Sequence, residues 1–297
     1  MESVSLLFIE NVLSLLSRCD QKTVKKLSSP WDTQADRVLQ QQVGLNLTVF
    51  GQHKDFVKFY FSKPVDLDTL TAEPEKYVVE KILFTGATWD HPHNAPRRAK
   101  VANAEAVQLL SDYFEQARHP PELLEILHIS RSRRLQRMWQ ILQIFPAVRG
   151  LHYDDNDGDE IYYLIQKFIR ARRLQKLEMK YFYKRVVDLV LPWTLSTNFL
   201  QLTIDCETCP GRYLNCIGAL VERWQASDAR LTLRACPRPD DETWKEFFPY
   251  TRGTWEEKGR RVTLHKRDGT EGLTITWGAS VPIWGIKFIR NGPYIPK

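Results

Sequence analysis

The chain has 297 residues, of which 43% are hydrophobic and 26% charged, so it can bury a sizeable core without disulfides. Lys and Arg number 42 against 36 Asp and Glu, and a net charge of +6 does not by itself indicate a nucleic-acid or membrane protein. The 5 cysteines are odd in number and irregularly spaced, which argues against a secreted disulfide framework.

The first residues also lack the features of a secretion signal. The only early charge is the acidic Glu2, the apolar run at residues 6–9 is broken by Glu10 and Asn11, and no small-residue cleavage site follows. No stretch approaches the ~18 consecutive apolar residues that a membrane-spanning helix needs. We therefore expect a protein of the cytoplasm or nucleus that does not bind membranes.

The N-terminus is predicted to form three short helices within residues 1–42. The second is expected at residues 20–27 and the third at residues 32–42, after Pro30 and Trp31. In the first helix, apolar residues recur at helical spacing over an unusually wide face. These residues are Leu6, Phe8, Ile9, Val12, Leu13 and Leu16. Either a partner covers part of this face or the helix docks on the rest of the chain.

This opening resembles that of the F-box proteins expanded in nematodes. The resemblance rests on the sequence of residues 1–16, on Val24 and Leu27, and on the Ser-Ser-Pro-Trp sequence that ends at Trp31. It implies that the helices bind the Skp-type adaptor of a cullin-RING ubiquitin ligase. One position departs from the family pattern, since Ser5 occupies a place where the family usually has proline.

Residues 43–120 are predicted to contain a β-hairpin, a third strand and a helix. The hairpin strands are expected at residues 44–50 and 56–61, which are rich in β-branched or aromatic residues. The third strand is expected at residues 77–85 and the helix at residues 102–118, ending before Pro120. Residues 88–98 are predicted to form a loop.

A pattern of two leucine-like positions three apart, followed by a third apolar position, recurs through residues 121–297. Its central positions are 127, 151, 177, 202, 231 and 262, separated by 24, 26, 25, 29 and 31 residues. Helix-compatible stretches lie between them, at residues 133–145, 159–172 and 212–225. This resembles a leucine-rich repeat, although a plain α/β domain with regular spacing is the alternative. The repeat predicts that Leu127, Leu151, Leu177, Leu202 and Leu231 lie on neighbouring parallel strands and point into a shared core.

Three clusters that could bind metals are incomplete. Cys206 and Cys209 form only half of a zinc site, because no second pair of ligands follows at a suitable spacing. The acidic run at residues 154–160 fails the calcium-loop pattern, which would require ligands at Tyr153 and Leu164. His91 and His93 flank a proline in a predicted loop. With no catalytic motif present either, the sequence predicts no metal, no cofactor and no enzymatic activity.

Basic residues cluster at two comparable places in the repeats. Arg131, Arg133 and Arg134 form the first cluster, and Arg170 and Arg173 belong to the second. If the repeats align, these side chains form a stripe that binds phosphates or an acidic protein surface. The alternative is that basic residues simply stabilise helix C-termini.

We therefore predict an α/β protein in three regions. Residues 1–42 are the F-box-like helical module, residues 43–120 a β-hairpin and helix linker, and residues 121–297 an irregular leucine-rich-repeat-like domain. The predicted function is a non-catalytic adaptor that recruits a protein target to a Skp/cullin-type ligase, with contacts to the Skp-type subunit from the first helix and Trp31. The alternative is a nucleic-acid-binding protein that uses the basic rows.

Overall fold

The structure is a computed structural model, and its described residues form a mixed α/β protein with eight helices and thirteen strands. They are residues 5–16, 18–27, 30–53, 56–86, 98–127, 136–145, 147–154, 159–179, 184–194, 196, 199, 201–205, 231–236, 255–258, 261–265, 271–277 and 285–290. The chain forms two compact units, Met1–Leu151 and His152–Lys297. Whether it also divides into the three predicted regions stays a prediction.

Unit 1 begins with three helices, α1 (Leu6–Leu15), α2 (Arg18–Val24) and α3 (Trp31–Gln41). The predicted hairpin follows as the antiparallel strands β1 (Val43–His53) and β2 (Phe56–Phe61). A short helix α4 (Leu67–Ala72), which the sequence patterns did not predict, precedes β3 (Tyr77–Thr85). Its first turn is capped by Asp66, whose carboxylate accepts a hydrogen bond from the backbone N–H of Thr69.

The rest of unit 1 contains β4 (Lys100–Val101), α5 (Ala104–Gln116), β5 (Leu123–Leu127) and α6 (Gln136–Ile144). Its strand order is β5-β3-β1-β2-β4, with β1, β3 and β5 parallel. The predicted helix at residues 102–118 is confirmed as α5. Asn103 caps its N-terminus by accepting a hydrogen bond from the backbone N–H of Ala106.

The core of unit 1 includes side chains from three adjacent strands of this sheet. Leu47, Ile82 and Leu124 are adjacent across β1, β3 and β5, and all three are fully buried. The helical layer packs on the same core through aromatic contacts, because the Phe145 ring lies 5.4 Å from that of Phe84 and 4.8 Å from that of Phe114. In β1, apolar and polar residues alternate from Leu45 to Val49, and Leu45, Leu47 and Val49 are buried on one face of the strand.

The unit boundary falls within β6 (Gly150–Asp154), after which unit 2 continues with α7 (Asp159–Arg170), β7 (Lys176–Met179), α8 (Lys184–Thr194) and β8 (Gln201–Asp205). Leu177 on β7 pairs in parallel with Leu202 on β8, and both are fully buried. The side chain of Trp193 in α8 donates a hydrogen bond to the carbonyl of Leu174, 3.0 Å away, which holds that helix against the segment leading into β7.

The remaining strands of unit 2 are β9 (Leu231–Cys236), β10 (Trp255–Lys258), β11 (Arg261–His265), β12 (Glu271–Trp277) and β13 (Gly285–Arg290). The strand order of unit 2 is β10-β11-β12-β9-β13-β8-β7-β6. Strand β13 is antiparallel to both of its neighbours, β8 and β9.

Two parts of the predicted leucine alignment are wrong. Leu231 begins β9, but β13 lies between β9 and β8, so Leu231 and Leu202 are not on neighbouring strands. In β5 the buried side chains are Leu124 and Ile126, whereas Leu127 is only half-buried. The backbone N–H of Gly150 bonds to the carbonyl of Glu122, 2.7 Å away, so Leu124 rather than Leu127 corresponds to Leu151.

The corrected first position changes the first step of the predicted spacing. From Leu124 to Leu151, Leu177 and Leu202, the steps are 27, 26 and 25 residues. In the described part of the chain, strands and helices alternate regularly from β5 to β8. The predicted helix at residues 212–225 lies outside the described residues.

Candidate protein-binding surface of the N-terminal helices

The three N-terminal helices enclose a small core of their own. Ile9, Leu13 and Ala35 are fully buried at its centre. Partly buried apolar side chains surround them: Leu16, Val24, Trp31 and Val38. Ile9 and Leu13 are among the predicted partner contacts, but both side chains are buried in this arrangement. Their α-helical spacing turns them toward α3 instead.

The first turn of α1 presents large apolar side chains to solvent. Leu6, Leu7 and Phe8 are 60%, 65% and 55% exposed, and Leu27 just after α2 is 55% exposed. The ring of Phe8 meets that of Trp31 edge-on, with 6.5 Å between centroids. Of the other predicted contact residues, Val12 and Leu16 are half-buried. We call Leu6, Leu7 and Phe8 the α1 patch.

Helix α2 joins these helices to the sheet of unit 1 through a bulge in β3. Strands β1 and β3 pair Leu45 with Val79 but Asn46 with Lys81, so Glu80 is an extra residue in the ladder. Its Oε1 atom lies 2.6 Å from Nε of Arg18 and 3.2 Å from Nζ of Lys22. The bulge thus directs the Glu80 carboxylate at two cations of α2.

Gly44 in β1 makes this approach possible. A Cβ atom at Gly44 would lie 2.6 Å from Oε1 of Glu80 and 3.2 Å from Nε of Arg18. A larger residue would therefore push the ion pair apart. The absence of a side chain at Gly44, rather than an unusual backbone angle, is what this site requires.

Two further contacts fix α2. Nη1 of Arg149, which is in the loop before β6, lies 2.6 Å from a carboxylate oxygen of Asp20. The buried side chain of Gln21 donates hydrogen bonds to the carbonyls of Leu13 and Leu16, 2.9 and 3.1 Å away. The carbonyl of Leu16 lies beyond the last turn of α1, and that of Leu13 also accepts from the backbone N–H of Leu16. The helices are thus held at α2, while the α1 patch remains exposed.

Sequence reasoning did not find Gln21, Gly44 or Glu80. Glu80 and Lys81 interrupt the apolar pattern of β3 between Val79 and Ile82, and this pattern does not show which residue forms the bulge. Nothing in the sequence indicates that the partners of Glu80 lie 58 and 62 residues earlier. Only the pairing of β1 with β3 brings them together.

Part of the predicted basic surface lies on α7. Arg170 in its last turn and Arg173 just beyond it are exposed, and the structure shows no ion pair for either among the described residues. One face of the helix also carries Tyr163, which is 65% exposed, and Lys167. Partial burial lowers the pKa of Lys167. Arg131, Arg133 and Arg134 lie outside the described residues.

Within the described part of the chain, no group of three His, Cys, Asp or Glu side chains is arranged to hold a metal ion. Cys206, Cys209, His91 and His93 lie outside that part. No helix among the described residues combines the length and the apolar character that crossing a bilayer requires. No family model matches the chain, and neither a curated protein nor a solved structure matches it.

Proposed function

We propose that the chain is a non-catalytic, F-box-like adaptor that recruits a protein target to a Skp/cullin-type ubiquitin ligase in the cytoplasm or nucleus. The observation that carries the proposal is the α1 patch, because three large apolar side chains face solvent where the F-box resemblance expects a partner. Burying such a side chain is worth about 1.5–3 kcal/mol, so a partner that covers the patch gains substantial affinity.

The departure at Ser5 does not oppose this proposal. Ser5 precedes α1 with a φ angle of −59°, within the range that proline adopts, and its side chain makes no capping hydrogen bond. A proline at this position would therefore remove no capping hydrogen bond from a side chain. The backbone direction into α1 is compatible with the residue that the family usually has.

The strand–helix alternation from β5 to β8 supports the second half of the proposal, in which a leucine-rich-repeat-like array displays the target-binding surface. Such an adaptor performs no chemistry and acts by raising the effective concentration of the target near the ligase. Strands β7 and β8 are neighbours, and each buries one leucine, Leu177 or Leu202, against the other, as expected of stacked repeats.

Co-purification with a Skp-type adaptor subunit tests this proposal. The wild-type chain is expected to retain the subunit, and the double variant Leu6→Asp with Phe8→Asp is expected to lose it, because two charges enter the α1 patch. Ile9 and Leu13 are unsuitable targets, since changing either would disrupt the helical core itself.

The matched control is Tyr163→Asp, which also replaces an exposed large side chain by aspartate but lies on α7. It is expected to bind the subunit as the wild type does. Failure of the wild-type chain to retain the subunit, or retention by the double variant, would contradict the proposal.

One observation favours nucleic-acid binding as a second candidate. Tyr163, Lys167 and Arg170 lie at positions i, i+4 and i+7 of α7, so an exposed ring and two cations share one face. Aromatic stacking and phosphate neutralisation are the two contributions that bind single-stranded nucleic acids. A labelled single-stranded RNA should then bind with an affinity that falls with salt, and both Tyr163→Ala and Arg170→Gln should weaken it.

The competing explanation is a general attraction of polyanions. If polyglutamate binds with the same affinity as RNA, and Tyr163→Ala leaves the RNA affinity unchanged, this face attracts polyanions without specificity for nucleic acids. The RNA experiment is independent of the co-purification test.

A further inference from the structure

A pocket of about 390 Å³ lies at the edge of the unit 1 sheet, beside the end of β2. Strand β4 pairs with β2 at Lys58 and Phe59, and the pocket is lined by the residues of β2 from Phe59 onward and by the chain that follows. Its volume lies within the range of small-ligand sites. Nothing in the proposed adaptor function assigns a role to it.

The pocket combines an apolar lining with a cationic rim. Of its apolar lining residues, Tyr60, Pro64 and Val65 are half-buried or exposed, whereas Phe59, Phe61 and Leu67 are buried in the core. The cations around it are Lys63, Arg98 and Lys100, all exposed. The guanidinium of Arg98 lies over the ring of Tyr60, 5.7 Å from its centroid, which orients a cation beside the aromatic wall.

Among the described lining residues the one carboxylate, that of Asp66, is already engaged. It accepts a hydrogen bond of 2.7 Å from the backbone N–H of Thr69. That bond, the Thr69 hydroxyl and the nearby charge of Lys100 hold the pKa of Asp66 below its usual value. The structure shows no ion pair for Lys63, Arg98 or Lys100 among the described residues. Among the described residues, three cations therefore lie at the pocket against one carboxylate, which caps α4.

A second, larger cleft in unit 1 lacks this excess. It has a volume of about 570 Å³, and its cations pair with neighbouring carboxylates. Arg118 lies 2.6 Å from Glu75, Lys76 lies 2.6 Å from Glu73, and Arg37 lies 3.6 Å from Glu10. Carboxylates thus pair with these cations of the larger cleft, whereas the described cations of the smaller pocket outnumber its described carboxylate.

We infer that the pocket beside β2 binds a phosphomonoester attached to an aromatic body, such as a phosphorylated tyrosine side chain. The accessible residues Tyr60, Pro64 and Val65 contact the aromatic body, and the three cations face its phosphate. Three cations favour a dianion over a single carboxylate, and arginine and lysine are the side chains that bind phosphate through charge-assisted hydrogen bonds. The inference does not depend on the adaptor function.

Ligand-detected NMR on the full chain tests the inference, with phenyl phosphate as the probe. Phenyl phosphate is expected to bind at least about fivefold more tightly than inorganic phosphate, which lacks the apolar body, and than phenylacetate, which carries one charge. N-acetyl-phosphotyrosine amide is the arm that represents a peptide source, and it is expected to bind at least as well as phenyl phosphate.

The variants Arg98→Gln and Lys100→Gln are each expected to weaken phenyl phosphate at least about fivefold, because a charged hydrogen bond is lost. The matched control is Lys26→Gln, which removes one exposed charge in the turn after α2. Absence of phenyl phosphate binding, equal binding of inorganic phosphate or phenylacetate, or equal effects of Lys26→Gln and Lys100→Gln would each overturn the inference. Weaker binding of the phosphotyrosine amide than of phenyl phosphate would overturn the peptide source.

Discussion

Helices α1 and α7 are both short and amphipathic, but they use their large side chains differently. In α7 the apolar residues Ile161, Leu164, Ile165 and Phe168 are all buried, and the exposed face carries charges and Tyr163. In α1 two apolar side chains, Ile9 and Leu13, suffice for the core, while Leu6, Leu7 and Phe8 remain exposed. The first helix therefore carries more apolar surface than its own core can accept.

This difference indicates which face of each helix has a function outside the fold. An isolated exposed apolar residue is ordinary, but three consecutive ones on a three-helix module leave a sizeable apolar area in water. The exposed face of α7 is mostly polar, so a partner there would be held by charge and stacking. Substitutions on the two faces of each helix should separate stability from binding.

The largest expected effect is at Phe168, which is fully buried in unit 2. Phe168→Ala should lower the free energy of unfolding by about 3–5 kcal/mol, since it removes a buried ring and leaves a cavity. Tyr163→Ala, on the opposite face of α7, should change it by no more than about 0.5 kcal/mol. Urea unfolding followed by circular dichroism measures both, and similar losses for the two variants would refute the assigned faces.

The same comparison in α1 should give a somewhat smaller contrast. Leu13→Ala should cost about 2–5 kcal/mol, because Leu13 is fully buried against α3. Leu7→Ala should be close to neutral for stability but should weaken retention of the Skp-type subunit. Thermal unfolding together with the co-purification assay distinguishes the two residues. A stability loss at Leu7 that equals the loss at Leu13 would place the α1 patch inside the fold.

Local sequence patterns were sufficient to predict most of the described elements. Alternation in β1 and the helical periodicity of α7 each reflect burial of one face, and that information lies within a few residues. The short α4 was missed, because six residues contain too little periodicity. The first repeat was misaligned because Leu124 and Leu127 are equivalent in a pattern of apolar letters, and only strand pairing shows that Leu124 is the buried one.

The sites depend on contacts that local patterns do not contain. Ile9 and Leu6 look alike in sequence, but α3 covers only Ile9. The pocket beside β2 brings together Lys63 and Lys100, which are separated by 37 residues. The insertion of β13 between β8 and β9 likewise joins strands that are far apart in the chain. Such long-range pairing is specified by the packing of the whole unit and could not be predicted from spacing.

The buried face of helix α5 includes a polar group, the hydroxyl of Tyr113. The hydroxyl of Tyr113 donates to the carbonyl of Tyr77, 2.7 Å away, and accepts from the backbone N–H of Val79, 3.1 Å away. Tyr113→Phe should cost about 1–3 kcal/mol at neutral pH, because two buried backbone groups lose their partner. Urea unfolding measures the loss, and a neutral result would mean that water replaces the hydroxyl.

The same hydroxyl predicts a dependence on pH. Burial raises the pKa of Tyr113 from its ordinary value of 10.0 to about 12. A raised pKa means that the neutral phenol is favoured in the folded state, so its contribution is complete below pH 10 and is lost as the pH rises through 12. The stability difference between wild type and Tyr113→Phe should therefore shrink by about 2–3 kcal/mol over that range. A difference that stays constant would contradict the raised pKa.

The smallest expected effect lies at the end of α7, where Arg172 has a φ angle of 55°. Helices commonly end with such a left-handed residue, usually glycine, because a Cβ atom is strained there by about 1 kcal/mol. The N–H of Arg172 still bonds to the carbonyl of Ile169, 2.9 Å away, so the cap itself is formed.

Since the arginine side chain has interactions of its own, the informative comparison is Arg172→Gly with Arg172→Ala. Both remove that side chain, but only glycine relieves the strain, so Arg172→Gly should be more stable by about 1 kcal/mol. Thermal unfolding of the pair decides, and equal stability would show that the backbone relaxes to a different cap.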